Sequence, residues 1–538
     1  MSKRITELNH KAAFDFLMQP DQYCTTELPE YFDFKQVLEY CSTVVKGIDM
    51  PSMPNGISGI NLDILTNKDG RYGVRPLTIS NPFLYAFLVR TMCEEQAWSA
   101  IIECFDSFKV DNISACSIPI VPNTDRKESF HKSATILNWW SSMEQTPIEL
   151  SLKYRYMFMS DITNCFGQIM PQSIDWALSR KGTALATDRN HHLAQIIIKI
   201  VEALKCGQNV GIPQGSTAYA LIAELVLGYA DLLLDKAVRD ARITAEYQVL
   251  RYVDDYRVFC NDRDALEKIS YLLQHILEGL NFRMNTSKTK ISESIVADAV
   301  KPDKAFYIFN TPIFSKKGVD FDGFQKHLYF IFEFGHNYPN CGQMKVLLSD
   351  FSNRICKYLK PRKSKKERVI AEIDLESGIT SECDKPAIFQ PVIREKILPM
   401  IATLTQIAAD NISSAHYALR AISLLLDTIK NEDDKNPIIG MVYSRLRNHP
   451  NSAYMQLWLQ TLTHSTGIKE INDYDVALCD VVKSPLAVLW NNNWMDQKIA
   501  AGLPTSSVCN QKKLKEAGQI IIFREHRAYT ESISYNGV

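Results

Sequence analysis

The chain has 538 residues, 46% of them hydrophobic and 10% aromatic, which excludes an intrinsically disordered protein and leaves room for roughly two to four domains. Its 60 Lys and Arg against 61 Asp and Glu give a net charge of −1, so any contact with nucleic acid must use local basic surface rather than a uniformly basic body. Thirteen cysteines come no closer in sequence than Cys93 and Cys104, which excludes a Cys-x-x-Cys zinc or redox motif and favours buried free thiols. The Met-Ser-Lys-Arg-Ile-Thr-Glu start lacks the apolar core of a signal peptide, and no run approaches about 18 apolar residues, so the expectation is a cytoplasmic protein with no membrane partner.

Residues 1–70 have mixed polarity, with a Pro/Gly/Ser-containing loop from Pro51 to Gly59, and offer no candidate site. From Arg71 the text Arg-Tyr-Gly-Val-Arg-Pro-Leu-Thr-Ile-Ser-Asn-Pro-Phe predicts a strand ending in a turn, followed by a helical run from Leu84 through Trp98 to Ile102. Arg71, Arg75 and Arg90 place three guanidinium groups around this piece.

Tyr154 to Ile162 reads as a buried strand with Asp161 near its end, and a carboxylate in that position serves either chemistry or a buried partner. Pro171 and Ser173 then open a short helix. Gly211-Ile-Pro-Gln-Gly-Ser-Thr is a punctuated loop entering a long helix, capped by Ser216 or Thr217 and running to about Asp240, whose apolar stripe predicts a core position. Gly211 and Gly215 permit close backbone approach to a ligand, and the helix N-terminus behind them favours an anion.

Gln248 to Cys260 contains two β-prone runs around Asp254-Asp255, which predicts a hairpin with both carboxylates at its tip. Adjacent carboxylates repel and raise one another's pKa unless a cation compensates them, so the pair asks for a metal, with Asp161 as third ligand. An amphipathic helix from Asp264 to Leu280 follows, then a predicted strand from Asn285 bearing Lys288 and Lys290, with a phosphate role expected for a lysine beside the acids. Lys357 to Arg368 is densely basic, and Glu372 to Lys385 is an acidic boundary. Beyond it, helical patterns at 392–409, 413–429, 437–448 and 452–464 are spaced like stacked helix pairs.

Taken in order, these pieces form the sequence of a polymerase palm, and the chain resembles a reverse transcriptase over about Arg71 to Ser292. Asp161 with Phe166, Pro213-Gln214-Gly215, Tyr252-Val253-Asp254-Asp255 and Lys288-Thr289 match that family's successive motifs. The resemblance implies that Asp161, Asp254 and Asp255 bind two Mg²⁺ ions, with Mn²⁺ as an alternative, and that Lys288 joins them in catalysis. It implies that Phe166 lies against the sugar 2′ position and favours dNTPs. Gln214, Gly215 and Tyr252 border the nucleotide, and Arg75, or failing it Arg71, grips the triphosphate.

No RNase H acid set and no HNH-like Cys or His cluster follows; instead the core carries a helical extension. In this the chain is similar to bacterial abortive-infection (Abi) polymerases and related defence-associated reverse transcriptases. That likeness implies antiphage defence, homo-oligomers, and synthesis of single-stranded DNA, untemplated or copied from a noncoding RNA and primed by a protein tyrosine. The candidate priming residues are Tyr529 and Tyr535 in the polar tail, with Tyr23, Tyr31 and Tyr40 as alternatives near the start. The expected fold is α+β: an N-terminal extension (1–70), right-hand fingers and palm (71–300), a thumb-like basic connection (301–390), and an all-α, HEAT-like domain with a polar tail (391–538). A retron- or intron-type retroelement enzyme is the alternative, and a non-catalytic nucleic-acid-binding scaffold is the alternative of another class.

Overall fold

A computed structural model of the chain describes residues 3–517 apart from 69–72, 122–137, 140, 311–320, 360–389, 430, 467–470 and 472, together with 520 and 522. Arg71, Tyr529, Tyr535, the acidic segment 372–385 and the basic run from residue 360 onward lie outside the described residues. Nine strands are described: β1 (Lys3–Arg4), β2 (Leu62–Asn67), β3 (Val74–Ile79), β4 (Ile113–Ala115), β5 (Ile120–Val121), β6 (Tyr156–Asp161), β7 (Tyr247–Tyr252), β8 (Asp255–Cys260) and β9 (Lys290–Ser292).

The central sheet has the order β4-β7-β8-β6-β9. Its strands are rich in aromatic and β-branched residues, as a pleated and largely buried surface favours. One face packs Phe158, Val249, Tyr256 and Val258 into the large core, and the other carries a small cluster of Met143, Tyr154, Met157, Leu250, Phe259 and Ile295. Beneath the large-core face runs the helix Thr217–Asp240, beside Pro171–Ser179 and Arg263–Gly279. The Ser216 hydroxyl caps it by accepting from the Tyr219 N–H at 3.3 Å, as the sequence predicts. This helix is long and apolar enough to cross a membrane, but 89% of its apolar window is buried within the protein, which makes it a core helix.

β2 and β3 form a separate antiparallel hairpin that pairs Leu62 with Ile79 and Asn67 with Val74. The helical run after β3 is two helices, Pro82–Met92 and Glu95–Ser107, interrupted at Cys93 and Glu94. The Asn81 side chain caps the first by accepting from the N–H groups of Phe83 and Leu84. Arg90 has a structural task, donating from Nη1 to the Ile48 carbonyl at 2.9 Å and to that of Val45.

Toward the C-terminus, helices Phe321–Asn337 and Gly342–Leu359 pack on Gln390–Asp410 and Ala415–Leu426, with Glu432–Leu446 and Ala453–Thr463 next to them. This layer returns to the start of the chain. Tyr31 donates to the Leu457 carbonyl at 3.3 Å, Tyr454 to that of Glu27 at 2.9 Å, and Trp490 Nε1 to that of Ile79 at 3.2 Å. One continuous set of buried side chains thus runs from Ile5 to Ile522.

Candidate active site

β6 ends on Asp161, β8 begins on Asp255, and the antiparallel register sets the two directly opposite one another. Side chains alternate across a strand, so both carboxylates fall on the face of the sheet away from the large core, together with Met157, Met159 and Phe259. Directly opposed residues on one face have Cβ atoms about 4.5–5.5 Å apart, so the two acids are neighbours by construction.

Tyr252 pairs with Asp255, which leaves Val253 and Asp254 as the two-residue turn between β7 and β8. Asp254 therefore sits in the turn and Asp255 already in the strand, a refinement of the expectation that both stand at the tip. Val253 takes a φ of +50°, left-handed backbone that a β-branched residue adopts only under constraint. The Asp254 carbonyl accepts from the Ile162 N–H at 3.0 Å, which ties the turn to the residue following Asp161.

The electrostatics of the three acids differ. Asp161 accepts at Oδ2 from Lys288 Nζ at 2.9 Å, while its Oδ1 is buried with no hydrogen-bond partner among the described residues. Asp254 faces Lys68 Nζ at 4.0 Å. Burial, reinforced by the charge of Asp255, pushes the Asp254 carboxyl up to about 6. Beside Asp255 on β8, Arg257 is buried deeply enough that desolvation lowers its pKa.

An oxygen-only donor set, an orphaned buried carboxylate oxygen and a carboxyl raised by burial and by a like charge all fit a hard divalent cation. Among the described residues, no three His, Cys, Asp or Glu side chains gather tightly enough to hold an ion unaided.

Lys288 does not lie in a strand. The Asn285 side chain accepts from the Ser287 N–H and hydroxyl, and the Asn285 carbonyl from the Lys288 N–H, so residues 285–289 close into a turn and β9 begins only at Lys290. This turn delivers Lys288 to Asp161. Phe166 lies four residues beyond Ile162 in the short helix Cys165–Gln168, half-buried, its carbonyl accepting from the Ile212 N–H at 2.8 Å.

Gln214 and Gly215 meet β3 and the N-terminal segment. The Thr78 N–H donates to the Gln214 carbonyl at 2.7 Å, and the Thr25 N–H to that of Gly215 at 2.9 Å. Gly215 has a φ of +132°, and a Cβ there would stand 3.0 Å from the Thr78 carbonyl oxygen. The close approach this glycine serves is thus to protein backbone, where the sequence suggested a ligand. Tyr252 is largely enclosed, and burial raises its hydroxyl pKa. Arg75 stands on β3 opposite Thr66.

Two of the alternative tyrosines are packing residues. Tyr23 is buried and bonds the Ser80 carbonyl, Tyr31 is buried against Leu457 and Thr461, and burial raises the pKa of both. Tyr40 donates to the Ile499 carbonyl at 2.8 Å.

Residues 1–70 offered no site to sequence reasoning, yet they supply Lys68. The signal was present in Asp69-Gly70 between two β-prone runs, a strong hairpin marker that places Lys68 at the tip. A second omission is the fully buried Arg251, immediately before the motif, whose Nε donates to Asp231 Oδ2 at 2.8 Å and Nη1 to Glu224 Oε2 at 3.0 Å. Arg251 shares the large-core face with Val249, where the long helix presents both acids.

Residues 113–325, under half of the chain, match the reverse transcriptase (RNA-dependent DNA polymerase) family, whose domain is a nucleotidyltransferase. Members of this domain family use divalent metal ions. No curated protein matches the sequence. Among solved structures, telomerase from Candida tropicalis truncated from its C-terminal domain is similar at 13% identity and a TM-score of 0.29, over 47% of this chain and 53% of that one. Telomerase in complex with a telomeric RNA fragment is similar from the same organism (12%, TM-score 0.29, 76% of this chain and 67% of that one) and from Candida albicans (12%, 0.28, 80% and 71%). The chain spans about half the length of the first of these, and scores this low carry no functional meaning.

Proposed function

We propose that the reverse transcriptase domain at residues 113–325 makes this protein a DNA polymerase that adds dNTPs at Asp161, Asp254 and Asp255 in bacterial antiphage defence of the abortive-infection type. The observation that carries the polymerase reading is the in-register pairing of Asp161 with Asp255, with Asp254 on the adjoining turn.

In this reading the three carboxylates hold two Mg²⁺ ions, the chemistry supplied being activation of the attacking 3′ hydroxyl and neutralisation of the departing pyrophosphate. Lys288 holds Asp161 in place and balances its charge between turnovers. Lys68, from the fingers hairpin, and Arg75 on the same hairpin offer cations to the triphosphate. The Phe166 ring, close beyond β6, excludes a 2′ hydroxyl by size and so favours deoxynucleotides.

The defence reading rests on resemblance to abortive-infection polymerases and on a helical extension in place of nuclease motifs. The helices from Gln390 to Thr463 are read as a HEAT-like array offering surface for self-association or for a noncoding RNA template. Tyr529 and Tyr535 are the proposed protein primers, and the cytoplasm is the proposed location.

The test is incorporation of each labelled dNTP by purified protein with Mg²⁺, resolved on denaturing gels after RNase or protease. Label that migrates with the protein until proteolysis supports a protein primer, and its loss after RNase supports a bound template. Free product appearing only with added primer and template overturns the priming proposal in favour of a retroelement enzyme.

A further inference from the structure

Val253 is the residue whose backbone is most constrained at the catalytic turn, and its N–H does not bond across the hairpin. It donates instead to the Ser117 hydroxyl at 2.7 Å. Ser117 is brought there by a ladder outside the hairpin. β4 runs parallel to β7, pairing Ile113 with Val249 and Ala115 with Arg251, and the Cys116 N–H continues it by donating to the Arg251 carbonyl at 2.8 Å. The next residue along the chain therefore arrives beside the turn.

The Ser117 hydroxyl in turn donates to Glu224 Oε1 at 2.6 Å. Glu224 is buried and ion-paired with Arg251 at 3.0 Å, and Arg251 is itself held by Asp231 at 2.8 Å. A chain of bonds thus runs from the core helix Thr217–Asp240 through one exchangeable hydroxyl to the N–H that precedes Asp254. Ion pairs sealed in the interior are rigid because breaking one leaves an uncompensated charge. A hydroxyl that donates to a carboxylate is also the better acceptor for a backbone N–H, since bonds in such a chain polarise one another.

We propose that Ser117 is a positioning residue for the polymerase site, its hydroxyl anchoring the left-handed Val253 turn to the buried Glu224–Arg251–Asp231 set and so fixing where Asp254 points. Its catalytic consequence rests on the polymerase reading above; its structural content does not.

The test uses the full chain with Ser117→Ala and Ser117→Thr, the latter keeping the β-hydroxyl. Hydrogen exchange across residues 250–256, followed by mass spectrometry, reads the anchor directly. Ser117→Ala raises exchange there by roughly tenfold while peptides from the helix Thr217–Asp240 are unchanged, and Ser117→Thr restores protection. In dNTP incorporation, Ser117→Ala lowers kcat by roughly tenfold or more with KM for dNTP within about twofold, because the lost bond orients an acid rather than touching the nucleotide. Unchanged exchange in Ser117→Ala overturns the inference, as does an equal loss in Ser117→Thr. Absence of incorporation by the wild-type protein overturns the polymerase reading instead, and the exchange measurement then decides the anchor by itself.

Discussion

The Asp254 carboxyl links stability to chemistry in a way that one substitution can expose. In the folded chain it is pushed from the usual 3.8 up to about 6, chiefly by burial and secondly by Asp255. A group whose folded pKa is raised makes the protein most stable when protonated, so its contribution is fully present below about pH 4 and is lost as pH rises through about 6. Above that point the ionised carboxylate costs at most roughly 3 kcal/mol, by the usual 1.36 kcal/mol per pKa unit. The side chain is 31% exposed and Lys68 stands 4.0 Å away, so solvent screening brings the figure to about 1–2 kcal/mol. Asp254→Asn removes the charge at almost constant shape. In chelator at pH 8 the variant is expected to melt roughly 2–3 °C above the wild type, the gap closing at pH 5, while incorporation is abolished. Saturating Mg²⁺ stabilises only the chain that binds it and so narrows or reverses the gap. A variant that melts at or below the wild type in chelator at pH 8, or a gap that widens toward pH 5, refutes the reasoning.

Other consequences are more local. Arg251→Met leaves Glu224 and Asp231 buried without their cation, and is expected to cost about 3–5 kcal/mol in urea unfolding, where an unchanged midpoint would contradict the buried-triad account. Gly215→Ala sets a Cβ 3.0 Å from the Thr78 oxygen at a φ of +132°, so a loss of about 1–3 kcal/mol in thermal or chemical unfolding is expected, together with reduced incorporation. Lys68→Ala removes the cation nearest Asp254 and is expected to raise the KM for dNTP by roughly tenfold with a smaller change in kcat; an unaltered KM would exclude it from triphosphate binding.

The three carboxylates were legible in the sequence because each lies within a short motif whose local structure its own residues dictate. Asp161 ends an apolar strand, and the Asp254-Asp255 pair interrupts two β-prone runs. The helix Thr217–Asp240 was legible for the same reason, being capped and carrying a long apolar stripe. What escaped is what tertiary contact assembles. Asp69-Gly70 marks the hairpin that carries Lys68, but nothing local pairs that lysine with Asp254, and Ser117 reaches Val253 across 136 positions of sequence with no local signature. Lys288 reaches Asp161 from a turn where the sequence predicts a strand: Asn285 closes the backbone on itself, and that competes successfully with pairing until Lys290. The burial of Tyr31 against Leu457 depends on a contact between the two ends of the chain, so its unsuitability as a primer could not be read locally.

In the proposed reading, Asp161 and Asp255, paired across the central sheet, carry metal-dependent nucleotide addition. The most direct measurement is incorporation of labelled dNTP by the wild type, Asp161→Asn and Asp255→Asn, each with Mg²⁺ and with chelator. Incorporation by the wild type is expected only when the divalent ion is present, with a loss on the order of a thousandfold in either variant and folding retained. Incorporation that persists in chelator, or that survives Asp255→Asn, would contradict it.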